Sequence, residues 1–383
     1  MRQLAVIDVS DPRSLWEPLS AALFEEGPAV LPRPGGAKIS HTAPLEVPDD
    51  TALVIETSGT TGAPKRVALT AEAVLAGATL TSTALGGGSW LLALPAHYIA
   101  GIQVCVRAHL AGTTPLFLHP EPFSTAAVLS RVEQWQAEGH EGPLFTSLVP
   151  AQLQRLVEEA LHTPALHTVM QRWDAILVGG QALRPALAEQ ASEAGYEVIR
   201  TYGSSETAGG CVWDGVPLPG VELKDIDGRI AITGPMLASG YLEDREKTAA
   251  SFLDREGKRW YLSDDTGDID PTGRLSVLGR VDDVLISGGI KVSLGAIERV
   301  LQSQTTASDA VVVAQPDETW GQVPVLVTVA HPDLEVTRAL LAAEIGPHAR
   351  ISRILQVREI PLLSSGKPDR LAVLALVEGN ARD

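Results

Sequence analysis

The segment Thr57-Ser58-Gly59-Thr60-Thr61-Gly62-Ala63-Pro64-Lys65 gathers hydroxyls, two glycines and a lysine into nine residues. Such groups suit a phosphate. Glycines let backbone amides approach the oxygens, hydroxyls donate hydrogen bonds, and the lysine supplies charge. The spacing is not that of the common phosphate loop, which needs four residues between its glycines and then Gly-Lys-Ser/Thr. Gly59 and Gly62 stand three apart, so a solvated Gly/Thr turn is the competing reading.

Four later segments carry compatible chemistry. Tyr202-Gly203-Ser204-Ser205-Glu206-Thr207 follows a strand-like run. It offers an aromatic face for a purine and a carboxylate for magnesium bound to phosphates. Asp265-Thr266-Gly267-Asp268 offers a carboxylate that could bridge two ribose hydroxyls, and Gly279-Arg280-Val281-Asp282-Asp283 sets a guanidinium beside it. Ser364-Ser365-Gly366-Lys367 presents one lysine on a small-residue loop. Each has a plain alternative: a strand end, an Asp-Gly turn, a salt-bridged linker, a solvated lysine.

The elements that must position these groups alternate in kind. Strand-like runs at Leu53–Ile55, Val67–Leu69, Trp90–Leu94, Pro115–Leu118, Ala175–Val178 and Val198–Thr201 are separated by helical stretches such as Ala126–Glu138, Pro150–Leu161 and Pro185–Ala194. Thr70 is placed to cap a helix. That alternation predicts an α/β layered fold. After Thr207 the texture changes to short antiparallel strands, Val221–Ile226, Arg229–Thr233 and Leu275–Leu278. From Val281 a compact α+β unit is expected, with helices at Leu294–Gln302 and Thr337–Glu344 and strands at Asp309–Gln315, Val323–Val329 and Leu355–Glu359. The expected domains are therefore 1–280 and 281–383. The first fifty residues, rich in Pro and Gly, suggest one helix around Leu15–Glu26 and little else.

Composition narrows the partners. The 383 residues carry 30 basic and 47 acidic side chains, a net charge of −17. That field repels a nucleic-acid backbone, and no basic run reverses it locally. A small anion needs only a few fixed donors concentrated at its site. The N-terminus has no secretory pattern, and no apolar run approaches the ~20 residues that span a bilayer. A soluble, cytoplasmic protein without membrane insertion is expected. Cys105 and Cys211 lie far apart and read as free thiols. The nine histidines form no His-x-x-x-His pair.

Taken in order, the five segments closely resemble the adenylate-forming superfamily of acyl-CoA synthetases, nonribosomal adenylation domains and luciferases, over roughly residues 51 to 370. The resemblance implies a large adenylation domain, a small mobile C-terminal domain, and three small molecules: ATP, Mg2+ and CoA. It implies that Thr57, Ser58, Gly59, Thr60, Thr61, Gly62 and Lys65 hold the β- and γ-phosphates, and that Glu206 helps hold magnesium. Tyr202 would stack on adenine, which also lies against Gly179, Gly180 and Gln181, with Gly203, Ser204 and Ser205 alongside. Asp268 and Arg280 would hold the ribose. Lys367 would reach the forming adenylate, Asp282 would be the hinge, and Gly288 and Gly289 would line the channel for the CoA thiol.

Within the superfamily, residues 94–101, 147–153 and 177–180 resemble the o-succinylbenzoate–CoA ligases of menaquinone biosynthesis. Arg107 stands where those ligases carry an arginine facing the substrate, with His97, Ser147 and Gly203 on the acid side. A dicarboxylate needs one counter-charge for the carboxylate that is not activated. Arg107 could equally be a surface residue, and His97 a packed one. Another aryl- or acyl-CoA ligase, or a non-catalytic nucleotide-binding scaffold, would share much of this pattern. The stretch before the glycine loop is about 56 residues, shorter than in many superfamily members. Local repacking or a partner subunit, such as a homodimer, is expected to cover the exposed face.

Overall fold

The computed structural model describes residues 1–36, 46–57, 64–118, 123–303, 307, 309–363 and 367–380. A seven-stranded sheet runs in the order Val216–Pro217, Gly209–Trp213, Val198–Ser204, Ala175–Val178, Leu144–Leu148, Ser89–Leu92, Leu116–Phe117. Its central strands pair in parallel. Ala175–Val178 and Leu144–Leu148 are buried at every residue, as strands covered on both faces must be. One face packs against helices Thr125–Ala137, Pro150–Ala160, Pro164–Gln171 and Pro185–Glu193, through residues such as Val132, Leu156, Met170 and Leu187.

The other face meets helices Ala71–Leu85 and Ile99–Leu110. These two helices share one core with a six-stranded sheet ordered Gly240–Tyr241, Lys65–Thr70, Thr51–Thr57, Ala29–Arg33, Arg2–Asp8, Glu46–Val47. A four-stranded antiparallel sheet follows (Glu222–Ile226, Arg229–Thr233, Lys258–Leu262, Phe252–Arg255), and then the ribbon Asp265–Ile269 with Leu275–Arg280.

The small C-terminal domain is a sheet of Ile290–Ser293, Val284–Ser287, Gly321–Thr328 and Val311–Asp317, with Arg353–Gln356 parallel to Gly321–Thr328. Helices Leu294–Gln302 and Leu334–Glu344 cover one face and Arg370–Gly379 the other. The layered α/β class is as expected, and so is the pairing of a large domain with a small one.

The first fifty residues hold more structure than their Pro and Gly content suggests. Strands Arg2–Asp8 and Ala29–Arg33 pair in parallel inside the six-stranded sheet, and Trp16–Phe24 is a helix packed on the helix layer. Phe24 stacks on His109 at 4.3 Å between ring centroids, and Trp16 lies 5.3 Å from the same imidazole.

Candidate active site

Strands Thr51–Thr57 and Lys65–Thr70 form an antiparallel hairpin, with Thr57 directly opposite Lys65. Ser58, Gly59, Thr60, Thr61 and Gly62 lie outside the described residues. The base of the hairpin is held by charge. Glu56 accepts from Arg33 at 2.7 and 2.8 Å and from Arg66 at 3.1 Å. Lys65 reaches toward Asp264 at 3.8 Å.

The strand Val198–Ser204 delivers Tyr202 and runs straight into a short 3-10 turn, Ser205–Thr207, that carries Glu206. Gly203 is required here, because a Cβ would drive into the carbonyl oxygen of Gly209 on the paired strand. The Glu206 carboxylate is buried and accepts a hydrogen bond from the Tyr241 hydroxyl at 2.8 Å. Gln103, buried in helix Ile99–Leu110, donates to the Ala208 carbonyl at 2.8 Å and so ties that helix to the Glu206 turn. Among the described residues, no three His, Cys, Asp or Glu side chains gather to hold a metal.

The carboxylate beside Tyr202 is Asp265, not Asp268. The Tyr202 hydroxyl donates to Asp265 Oδ2 at 2.8 Å, and Arg280, paired with Asp265 in the ribbon register, approaches it at 3.7 Å. Asp268 pairs with Ser276 instead and is solvent-exposed. The sequence pointed to Asp268 for the ribose, and its exposed carboxylate lies three residues further along the same strand, about 10 Å away. Burial raises the pKa of Asp265 and, with the Asp265 charge, that of Tyr202. Arg280 also grips Asp282 with two bonds, at 2.7 and 3.0 Å, which raise its own pKa.

From the small domain, Lys367 arrives at this cluster. Its Cε stands 3.7 Å from where a Cβ on Gly180 would sit, and Gly180 itself has a left-handed φ of +81°. Ser364, Ser365 and Gly366 lie outside the described residues, but the loop's two ends are pinned. Leu363 N–H donates to the Lys367 carbonyl at 2.8 Å, and Arg370 binds Glu298 at 2.8 and 2.9 Å. Crowding by protein lowers the Lys367 pKa; Asp265 opposes the shift and Arg280 adds to it. The residue as a whole is exposed to solvent. Gly179 leaves room for Thr201, and Gln181 is half-buried beside it.

On the acid side, Arg107 is not a surface residue. It is 4% exposed. Nη1 donates to Ser147 Oγ at 3.4 Å, the guanidinium lies 4.9 Å from the Trp90 ring centroid, and Nε has no partner. Among the described residues no ion pair reaches it. Burial pushes its pKa down to about 9, which leaves it charged at neutral pH. Ser147 pairs in register with Leu177, two residues before Gly179, so one pair of strands joins the Arg107 pocket to the Lys367 approach. His97 is half-buried with its ring 4.1 Å from that of Tyr98, and burial pushes its pKa down to about 4.

Gly288 and Gly289 make the turn between Val284–Ser287 and Ile290–Ser293, with left-handed φ of +56° and +82°. Trp320 of the same domain packs over Gly288 so closely that a Cβ would touch its ring. Tyr241, Asp264 and Gln103 were not singled out from the sequence, and Asp265 was named only as the first residue of its segment.

Fold and site together define an AMP-binding architecture, and sequence comparison agrees. The AMP-binding enzyme model matches residues 5–242, and the AMP-binding enzyme C-terminal domain model matches residues 296–367. The chain belongs to the AMP-binding enzyme family. It is 39% identical over 346 residues to a probable 2-succinylbenzoate–CoA ligase of Mycobacterium tuberculosis, covering 88% of this chain and 87% of that one. Its structure resembles the o-succinylbenzoate CoA synthetase of Bacillus subtilis in complex with the acyl-adenylate intermediate (TM-score 0.72, 25% identity, 97% of this chain and 78% of that one). It also resembles the amide bond synthetase of Marinactinospora thermotolerans (TM-score 0.74, 26% identity, 98% and 80%).

Proposed function

We propose that this chain is an ATP-dependent o-succinylbenzoate–CoA ligase. The observation that carries the choice of acid is Arg107, a buried guanidinium with no carboxylate partner among the described residues, on the acid side of a nucleotide cluster. In the first half-reaction one carboxylate of the acid attacks the α-phosphorus of ATP, forming acyl-AMP and releasing pyrophosphate. In the second, the CoA thiol attacks the acyl carbonyl and AMP leaves. The carboxylate that is not activated would rest on Arg107, with Ser147 and His97 closing the pocket.

Tyr202 would stack on adenine, Asp265 and Arg280 would hold the ribose, and Gly179 to Gln181 would border the base. Thr57 and Lys65 would flank the phosphates. Glu206 fits Mg2+ as a single buried carboxylate, since this ion completes its shell with phosphate oxygens and water rather than an all-protein cage. Bound there, the ion would neutralise phosphate charge. The small domain would turn about Asp282 between the half-reactions, withdrawing Lys367 and bringing Gly288 and Gly289 to the thiol. No described helix is long and apolar enough to cross a membrane, and the substrates place the reaction in the cytoplasm.

The deciding experiment is a panel of carboxylic acids assayed for pyrophosphate release, followed by mass detection of the CoA thioester. o-Succinylbenzoate should give the highest kcat/KM and its CoA thioester. Release only with other acids would reassign the substrate, and none with any acid would favour a scaffold. The ribose assignment has its own check. Asp265→Ala should raise the KM for ATP about tenfold or more, while Asp268→Ala stays within about twofold of wild type. The reverse ranking would restore Asp268.

A further inference from the structure

We propose that Lys247 is a second cation of the polyphosphate grip, holding the β- and γ-phosphates of ATP, and then pyrophosphate, together with Lys65. The inference rests on the reading of the chain as an adenylate-forming ligase and extends it to a residue outside the five segments.

The placement follows from the fold. Strand Gly240–Tyr241 pairs antiparallel with Lys65–Thr70, setting Tyr241 opposite Val67, two residues along from Lys65. The chain then turns into helix Arg245–Ser251. Asp244 caps that helix by accepting from the Lys247 N–H at 2.9 Å. Lys247 is thereby fixed in the first turn, with Nζ 5.4 Å from the centroid of the Tyr241 ring. The same tyrosine donates to Glu206. Lys247 thus stands next to the proposed magnesium carboxylate without contacting it.

Asp264 is already approached by Arg229 at 2.8 Å, Arg280 at 3.6 Å and Lys65 at 3.8 Å. Lys247 adds a further cation close to Lys65. Burial, hydrogen-bond contact with Lys65 and the Lys65 charge all lower its pKa, while Asp264 and Asp244 raise it. Carboxylates share the cluster: Arg280 also pairs with Asp282 and Asp265, and Asp264 and Asp244 act on Lys247. The two ammoniums still repel one another, and a diphosphate between them has the oxygens and the charge to relieve that repulsion. Lys247 was not singled out in the sequence because its helix is short and its segment carries no glycine loop.

The test uses the full-length enzyme and compares wild type with Lys247→Ala and Lys247→Arg. Acid-dependent ATP–pyrophosphate exchange with o-succinylbenzoate gives the apparent KM for each substrate, and calorimetric titration gives magnesium pyrophosphate binding. Lys247→Ala should raise the KM for ATP and pyrophosphate about tenfold and leave that for the acid within about twofold, with Lys247→Arg recovering most of the loss. Unchanged ATP and pyrophosphate constants overturn the proposal. So does a uniform loss with a lowered melting point, which would mark Lys247 as packing on Tyr241 alone. If wild type shows no acid-dependent exchange, the ligase reading fails by itself. Pyrophosphate binding that is lost in Lys247→Ala then still supports the anion site, and binding that is retained overturns it.

Discussion

Lys367→Ala should nearly abolish acid-dependent pyrophosphate release while leaving the thioester half-reaction largely intact. The first half-reaction brings a carboxylate against a triphosphate, and negative charge grows on the α-phosphoryl oxygens in the transition state. A unit charge about 4 Å away at an effective dielectric near 20 is worth about 4 kcal/mol. Losing such a group typically costs about 10²–10³ in rate. The side chain is well placed to supply it, because its loop is pinned through Leu363 and through Arg370 on Glu298, and its Cε abuts Gly180. Crowding and Arg280 lower its pKa while Asp265 opposes them, and a bound phosphate would add a further charge that favours the ammonium. The check is to assay the two steps apart. Pyrophosphate release should collapse, whereas CoA transfer from supplied acyl-adenylate should stay within about threefold of wild type. Equal losses in both steps would assign Lys367 a general structural part instead.

Local signals in the sequence located most of the frame that holds this lysine. Helix Leu294–Gln302 falls on its expected limits, because Ser293 caps it and Leu294, Ile297 and Leu301 form one buried stripe. Strand Ala175–Val178 also falls on its expected limits, being a short apolar run bounded by polar residues. Helix Ile99–Leu110 went unread for a physical reason. Nearly every residue from Ile99 to Ala108 is buried, since the helix lies between two sheets, so there is no polar face to mark a period. Ala29–Arg33 was hidden by Pro32, which reads as a breaker. The strand forms nonetheless, pairing in parallel along its whole length with Arg2–Asp8, where Pro32 stands opposite Ile7, and touching Thr51–Thr57 through Val30–Leu53.

The site was legible where one residue type has one chemical use and illegible where register decides. Glu206, Tyr202, Arg280 and Lys367 were each named from local motifs, and the structure draws Tyr202, Arg280 and Lys367 around Asp265. Which aspartate of Asp264, Asp265 and Asp268 does this depends on a β-bulge between Thr266 and Gly267 and on pairing with Leu275–Arg280. No local pattern encodes that pairing. Tyr241 and Lys247 enter the site through strand Gly240–Tyr241, which joins the edge of a sheet whose other strands lie far earlier in the chain. Burial removes the surface alternative for Arg107, because sequence spacing alone could not say which side of its helix faced protein.

Arg107→Met should weaken the enzyme toward its acid and strengthen the ligand-free fold at the same time. An ionised group taken out of water is costly unless paired, and here the guanidinium has one long bond to Ser147, the Trp90 face and an unpartnered Nε. Methionine keeps much of the apolar stem against Trp90 and removes the charge. Stability of the free protein should therefore rise by about 1–3 kcal/mol, after allowing for the lost cation–π contact. With o-succinylbenzoate the sign reverses. The distal carboxylate would lose its counter-charge in a water-poor pocket, costing about 2–4 kcal/mol, roughly thirty- to several-hundred-fold in kcat/KM for the acid. The KM for ATP should move little, because the Tyr202–Asp265–Arg280 cluster is untouched. Thermal melting with and without each substrate reads both halves. Wild type should be stabilised by the dicarboxylate, the variant should start higher and gain nothing from it, and both should respond alike to ATP. An aromatic monocarboxylate of the same size should be handled as well by the variant as by wild type. A variant that melts lower than wild type, or whose ATP and acid constants worsen together, would show that Arg107 is part of the packing rather than an empty counter-ion awaiting its substrate.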